Sequence, residues 1–318
     1  MERKYNIMIV LNLEPYLYSE KAVSLWERNN FKYFEENWKT FKLKEISKKA
    51  EILIVRLSKK IDKETLNNFK SLKYIISATT GLDHIDLDQT SALGIKVVSL
   101  KNQSRFLETI PSTAEHTWAL LCALIRNIPD ASNDVKLGNW NRDNFRGYQL
   151  KNKSIGLIGL GRVGNQVAKF AEAFEMKVSY FDPHVKSKKE YLRYFKIEDL
   201  LSNNDIISIH IHLNKENFNF LNKSNLVKLK KGVFLINTSR GKVWDENALV
   251  DLYEKGIIKG IASDVLASEM DKKIISPLLK LHQKSKKNII ITPHIAGATY
   301  DAMWECENYI VNFFLKNK

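Results

Sequence analysis

Cysteine is nearly missing from this chain. Of 318 residues only two are cysteines, Cys122 and Cys306, far apart and each inside an apolar helical pattern. A disulfide framework is excluded, and a reducing compartment, the cytoplasm, is expected. Long apolar runs are missing as well. None approaches the ~20 residues that cross a bilayer, so no membrane partner is expected. The opening MERKYNIMIVLNL has a charged start and a short apolar run. The run contains Asn and no small-residue cleavage site follows, so it reads as a first β-strand and not as a signal peptide. No Gly/Ser-rich linker, internal repeat or low-complexity segment interrupts the chain, whose length suits two domains of ordinary size.

Acidic charge is in short supply. Lys plus Arg number 50 against 36 Asp plus Glu, a formal net charge of +14. A nucleic-acid surface would concentrate the excess on one element. Here the lysines are spread along the chain, with short runs only at Lys186–Lys189 and Lys284–Lys287, and no recognition motif accompanies them. The reading is a lysine-rich solvated surface with no nucleic-acid partner.

What the chain does have is alternation. Ile7–Leu11, Ile52–Val55, Tyr74–Ser77 and Val97–Val98 read as buried strands with polar helical stretches between them. Ser154–Gly159, Lys177–Phe181, Ile206–His210, Val233–Asn237, Gly260–Ser263 and Asn288–Thr292 continue the series. Ser112–Arg126 and Tyr300–Leu315 read as helices. Alternating β and α predicts parallel sheets covered by helices on both faces.

Glycine is sparse too, thirteen in all, yet Gly159, Gly161 and Gly164 fall within six residues. They form G-x-G-x-x-G, after a strand and before a helix marked by Val163, Val167, Phe170, Ala171 and Phe174. Each has a job in holding a dinucleotide: a tight turn, room for the pyrophosphate at the backbone, and close helix–strand packing. The helix N-terminus offers N–H groups to the phosphates. Asp182, at the end of the next strand, would accept hydrogen bonds from the adenosine ribose and repel a 2′-phosphate, which favours NAD over NADP. The motif lies in mid-chain. This predicts an α/β fold of two doubly wound parallel-sheet domains: an NAD-binding domain at 101–291, inserted into a discontinuous substrate domain at 1–100 and 292–318.

A nicotinamide cofactor implies hydride transfer, which needs a proton donor and a cation near the reacting oxygen. Three segments beyond predicted strands supply candidates. Arg240, in Asn237-Thr238-Ser239-Arg240-Gly241, can fork two hydrogen bonds to a substrate carboxylate or carbonyl. Glu269, in Asp264–Glu269, would orient His294, in Thr292–Gly297, and favour its protonated form. Singly these are a surface arginine, a loop acid and a turn histidine. Together, behind a dinucleotide motif, they read as a site. His210 and His212, alternating on one strand, could ligate a metal, but no third ligand stands at a telling distance and no metal is expected. His84, His116, His184 and His282 suggest no partner.

Six motifs in order carry a resemblance: ATTGLDHID (Ala78–Asp86), STAEHTWALLCALIRN (Ser112–Asn127), GLIGLGRVG (Gly156–Gly164), NTSRG (Asn237–Gly241), the D-V-x-x-x-E of Asp264–Glu269, and TPHIAG (Thr292–Gly297). From about Glu51 onward the chain resembles the D-isomer-specific 2-hydroxyacid dehydrogenases, in their phosphoglycerate dehydrogenase-like branch. The resemblance implies two Rossmann-like domains, the cofactor one inserted. It implies an NAD-dependent oxidoreductase acting on a small 2-hydroxy or 2-oxo acid, with 3-phosphoglycerate among the candidates. Arg240, Glu269 and His294 become the catalytic trio. Thr80 and Gly81 hold the substrate carboxylate, and Arg56 matches a basic position used for phosphate. Arg162 and Val163 sit on the pyrophosphate and Asp182 on the ribose. Thr238, Ser239, Asp264 and Gly297 face the cofactor, and His210 lies on the strand flanking it. Gly138-Asn139-Trp140 matches a segment that passes into a neighbouring subunit, which implies a homodimer through the cofactor domain.

The chain also departs from the pattern. Met270 stands where proline usually follows the glutamate. The stretch Asp271–Lys287 is long and lysine-rich. His210-Ile211-His212 replaces His-x-Pro, and Ser77 replaces an arginine common in phosphoglycerate-specific members. With no regulatory domain after Lys318, feedback through such a domain is not expected. A formate-oxidising activity is disfavoured by Glu269, where that branch has Gln. The remaining alternative is an NAD(H)-sensing corepressor-type module on the same fold.

Overall fold

The computed structural model of this chain describes residues 7–38, 45–187, 189–271, 273–284 and 288–318. The start of the first predicted strand's leader, and parts of both lysine runs and of the 271–287 stretch, lie outside them. The chain folds as two units, Met1–Leu107 with Thr299–Lys318, and Glu108–Ala298.

The first unit is built on five parallel strands: β1 (Ile9–Asn12), β2 (Lys32–Glu35), β3 (Ile52–Ile54), β4 (Tyr74–Ser77) and β5 (Lys96–Ser99). Their order is β2-β1-β3-β4-β5. Ile52, Leu53 and Ile54 are buried on both faces, as a central parallel strand requires. β2 has no counterpart in the sequence reading. It is an edge strand, Lys-Tyr-Phe-Glu, with charged ends and mostly exposed, and so has no apolar run to show. The helix Tyr300–Asn317 belongs to this unit. It is capped by Thr299, whose hydroxyl accepts the Ala302 N–H.

The second unit has seven parallel strands: β6 (Ser154–Ile158), β7 (Lys177–Phe181), β8 (Leu192–Arg193), β9 (Ile206–Ile209), β10 (Val233–Asn237), β11 (Ile258–Ser263) and β12 (Ile289–Ile291), in the order β12-β11-β10-β9-β6-β7-β8. Period-2 alternation divides their side chains between two cores. Ile155 and Leu157 of β6, Phe234 and Ile236 of β10, and Ala262 of β11 pack with Leu121, Val167 and Ala171 on one face. Ile158, Val233, Leu235 and Ile261 pack with Leu200, Leu226 and Leu249 on the other. Helices therefore cover both faces, and the sheet is doubly wound.

The seams differ from the expected 100/101 and 291/292. Residues 292–298 stay with the second unit because Asp264, at the end of β11, holds them. Its carbonyl accepts the His294 N–H at 2.8 Å, and its carboxylate accepts the N–H groups of Ile295 and Ala296. Among the described residues no helix is long and apolar enough to cross a membrane, and Cys122 and Cys306 are free thiols.

Candidate active site

In the second unit the strand order reverses between β6 and β9, and ligands of open parallel sheets bind outside the carboxyl ends of strands at such a point. The glycine turn lies there. Gly159 has φ +91°, and a Cβ on it would stand 2.6 Å from the His210 carbonyl oxygen. A Cβ on Gly164 would stand 2.3 Å from the Gly159 carbonyl oxygen, so helix and turn touch through backbone. At Gly161 a Cβ would meet nothing within 4 Å, which leaves the approach to the turn open. The helix Arg162–Ala173 begins directly after Gly161, with no side chain capping its first N–H groups. Those groups, the open approach and the carboxylate after β7 fit a dinucleotide pyrophosphate and ribose.

The surrounding side chains are more occupied than the sequence suggested. Asp182 Oδ2 accepts the Leu160 N–H at 2.8 Å, and Oδ1 accepts those of His184 and Val185 at 2.9 Å. It therefore fastens the glycine turn to β7, with about one of its four lone-pair positions left over. Arg162 Nη1 donates to the Ile110 carbonyl at 2.9 Å, and Val163 packs against the core beneath. β9 ends at Ile209, so His210 and His212 follow the strand and do not alternate on it. The His210 ring lies 2.9 Å from the Ser208 hydroxyl, and burial pushes its pKa down to about 3, keeping the imidazole neutral. Among the described residues no group of three or more His, Cys, Asp or Glu is placed to hold a metal ion.

Three loops at the carboxyl ends of β10, β11 and β12 carry the proposed chemistry. After β10, the buried Asn237 shapes the turn. Its Oδ1 accepts the Ser239 N–H and hydroxyl, and its Nδ2 donates to the Arg240 carbonyl. Thr238 lies 2.7 Å, hydroxyl to hydroxyl, from Thr117. Gly241 follows. A Cβ there would lie 2.1 Å from the Leu266 carbonyl carbon and 2.3 Å from the Ala267 nitrogen. Its absence lets the Arg240 loop and the Glu269 loop pack backbone against backbone.

Glu269 and His294 meet: Oε1 lies 2.8 Å from Nδ1, while Oε2 accepts the Leu266 N–H at 2.9 Å. The carboxylate is held at both oxygens, so it fixes the ring and leaves Nε2 as its working nitrogen. His294 itself has φ +55°, in the left-handed region. Strain of this kind persists only where neighbours impose it. Here Asp264 imposes it through the loop 292–296, and Thr292 adds its hydroxyl to Asp264 at 2.5 Å. Burial alone would raise the Asp264 pKa; hydrogen bonds from His116, Thr292, Ile295 and Ala296 outweigh it and hold the carboxyl below its ordinary value. Gly297 is exposed at the end of the same loop.

Two residues of this network were not expected. His116, on the helix Ser112–Ile125, has its Nε2 3.0 Å from Thr292 Oγ1 and 3.5 Å from Asp264 Oδ1. The threonine proton goes to Asp264, so the ring N–H is shared between Thr292 Oγ1 and Asp264 Oδ1. Glu246 is buried and accepts the Ala267 N–H at 2.8 Å and the Ser276 hydroxyl at 2.5 Å, anchoring both ends of the loop that carries Glu269. His116 lies within the Ser112–Asn127 motif. A buried acid on a polar helix leaves no pattern at all.

In the first unit, Thr80 and Gly81 follow β4 and are half-buried. Thr79 ties the turn by donating its hydroxyl to the Gly81 carbonyl at 2.9 Å, and the Ser77 hydroxyl is 2.9 Å from that of Thr79. Arg56 departs from the expectation of a waiting phosphate receptor: its guanidinium is ion-paired with buried Glu307. Trp304 donates to the Leu17 carbonyl at 3.1 Å, a packing role within this unit.

Fold and glycine turn together define a dinucleotide-binding α/β domain. Comparison with known proteins narrows this. Residues 118–296 match the family model for the NAD binding domain of D-isomer specific 2-hydroxyacid dehydrogenases. The chain is 37% identical over 257 residues to the D-3-phosphoglycerate dehydrogenase of Bacillus subtilis, covering 79% of this chain and 46% of that protein. It is 34% identical over 288 residues to the glyoxylate reductase of Thermococcus litoralis, covering 85% and 83%. Among solved structures, a D-lactate dehydrogenase from Aquifex aeolicus complexed with NAD and lactic acid superposes with TM-score 0.80 at 30% identity, covering 97% of this chain and 95% of that one. The chain belongs to the D-isomer specific 2-hydroxyacid dehydrogenase family. It spans about half the length of the phosphoglycerate dehydrogenases it matches from Bacillus subtilis and Archaeoglobus fulgidus, 46% and 54%.

Proposed function

We propose that this protein is an NAD-dependent dehydrogenase that interconverts a small 2-oxo acid and its D-2-hydroxy acid. The observation that carries the reading is the 2.8 Å contact between Glu269 and His294, beside an Arg240 loop that Gly241 allows to touch the Glu269 loop. A corepressor-type module would have no use for a carboxylate–histidine pair held this firmly, and that alternative is not favoured.

When bound, NADH supplies a hydride to the carbonyl carbon. The turn Gly159–Gly164 and the N-terminus of the helix after it would hold its pyrophosphate, and Asp182 the adenosine ribose. His294, steadied by Glu269 at Nδ1, donates the Nε2 proton to the carbonyl oxygen, and takes it back in the reverse direction. Arg240 places its cation on the substrate carbonyl or carboxylate and stabilises charge developing on oxygen. On the first unit, the family resemblance makes the N–H groups around Thr80 and Gly81 the donors that would bind a substrate carboxylate. Asp264 holds the His294 loop, and Thr238, Ser239 and Gly297 line the cofactor's side.

We place the protein in the cytoplasm as a homodimer joined through its NAD-binding unit, with no nucleic-acid partner. Support for the dimer comes from the helix Ile128–Lys136 and the turn after it. The helix buries no residue, and Ile128 and Val135 on it and Leu137 and Trp140 just after it are exposed, an apolar strip of the kind that marks a subunit interface.

Initial rates of NADH oxidation with glyoxylate, hydroxypyruvate, pyruvate and 3-phosphohydroxypyruvate test the reading. Turnover of at least one of them to the D-hydroxy acid is expected. No turnover of any 2-oxo acid, with NADH binding intact, would overturn it.

A further inference from the structure

Arg56 lies just past the carboxyl end of β3, and β1 and β3 flank the point where the order of the five-stranded sheet reverses. A guanidinium beside such a point is a ready receptor for phosphate. In this chain the receptor is already filled. Nε and Nη2 of Arg56 both donate to Glu307 Oε1, the first at 3.1 Å, and Nη1 donates to the Tyr16 carbonyl at 2.8 Å. Three of the five N–H bonds are thus committed, and the arginine side chain is only 17% exposed. Glu307 is 1% exposed, and its Oε2 accepts the Ser19 N–H at 2.8 Å. It cannot let go of Arg56 without leaving a buried charge uncompensated. Two backbone donors of the same loop are taken as well. Glu14 Oε1 accepts the Arg56 N–H at 2.9 Å and Oε2 accepts that of Ser58 at 3.3 Å. Glu307 therefore neutralises the guanidinium while Glu14 takes two backbone N–H groups, so a phosphate dianion would find the arginine already paired and the N–H groups of Arg56 and Ser58 already used.

We propose that Glu307, assisted by Glu14, sets the substrate class: the protein takes unphosphorylated 2-oxo and 2-hydroxy acids and refuses their phosphate esters. The inference rests on the dehydrogenase reading and narrows it. Glu307 does not touch substrate; it acts through Arg56 and is a positioning residue.

The test is a matched pair, hydroxypyruvate and its 3-phosphate ester, at saturating NADH. The wild type is expected to favour the free acid in kcat/KM by about tenfold or more, one unit of log K being about 1.4 kcal/mol. Glu307→Gln keeps the shape and removes the charge. It is expected to raise kcat/KM for the phosphate ester relative to the free acid by about tenfold, chiefly through KM, as restored charge attraction would. Glu307→Ala is expected to move the ratio the same way. A role confined to stability would lower both substrates together. An unchanged ratio in the folded variants, or a wild type that prefers the phosphate ester, overturns the proposal; if neither variant folds, the wild-type ratio alone decides it. A wild type that reduces no 2-oxo acid overturns the dehydrogenase reading and this inference with it. Turnover with a ratio insensitive to Glu307 overturns this inference alone.

Discussion

At the scale of single residues, the burden falls on Asp264. It is a buried acid whose carboxylate and carbonyl together hold the loop that presents His294 at φ +55°. Asp264→Asn keeps the volume but turns one acceptor into a donor facing backbone N–H groups. We expect it to cost about 1–3 kcal/mol in urea unfolding and to lower kcat more than it raises KM, because the loop geometry is lost. A variant as stable and active as the wild type would remove Asp264 from this role. The pH dependence of stability follows from the same residues. An unfolded Asp takes up its proton near 3.8, and Asp264 in the fold does so lower, so its stabilisation is present above 3.8 and is lost as pH falls through the folded value. His210 adds to it. The unfolded imidazole protonates near 6.5 and the buried one near 3, so stability falls as pH drops from 6.5 toward 3. The urea midpoint should therefore decline from pH 7 to pH 4 through His210, and below pH 3.8 through Asp264 as well. His210→Gln should flatten that slope, and an unchanged slope would contradict the assignment.

At the scale of elements, the site depends on loops that touch without side chains. Gly241→Ala would force a methyl carbon to within 2.1 Å of the Leu266 carbonyl carbon, so the Arg240 and Glu269 loops must separate. Misplacement of this size costs about 10²-fold in rate. We expect kcat/KM for 2-oxo acid to fall by at least that much while NADH affinity, read by fluorescence titration, changes little. Unaltered kcat/KM would show that the two loops do not need this contact. Much of this level was legible beforehand. β4 and β10 fall where their apolar runs stand in the sequence, because a strand buried on both faces has no polar interruptions. The glycine turn was legible because each glycine has a separate steric reason. What could not be read was the occupancy of the charged groups. Nothing in the spacing of Arg56 and Glu307, 251 residues apart, says that one neutralises the other. Nor does Glu246, on a helix of ordinary polarity, announce that it clamps the Glu269 loop. His116 was visible in a motif, but its role depends on a threonine that only the fold brings near.

At the scale of the whole molecule, the exposed apolar strip from Ile128 to Trp140 and the carboxylate after β7 each make a claim. If the strip is a subunit interface, sedimentation of the purified protein should give a dimer, and Leu137→Glu with Trp140→Glu should shift it to monomer. A monomeric wild type at micromolar concentration would contradict the assembly proposed. If Asp182 repels a 2′-phosphate, NADH should bind more tightly than NADPH, and tighter NADPH binding would contradict that selection. The central claim, however, is that the Glu269–His294 pair makes this dinucleotide-binding chain an enzyme. The most direct measurement compares 2-oxo acid reduction by the wild type and by His294→Ala, with NADH binding measured in parallel on both. The account predicts equal NADH binding and a rate loss of about 10²–10⁴-fold, the usual range for a missing general acid. Equal NADH binding with an undiminished rate would contradict it.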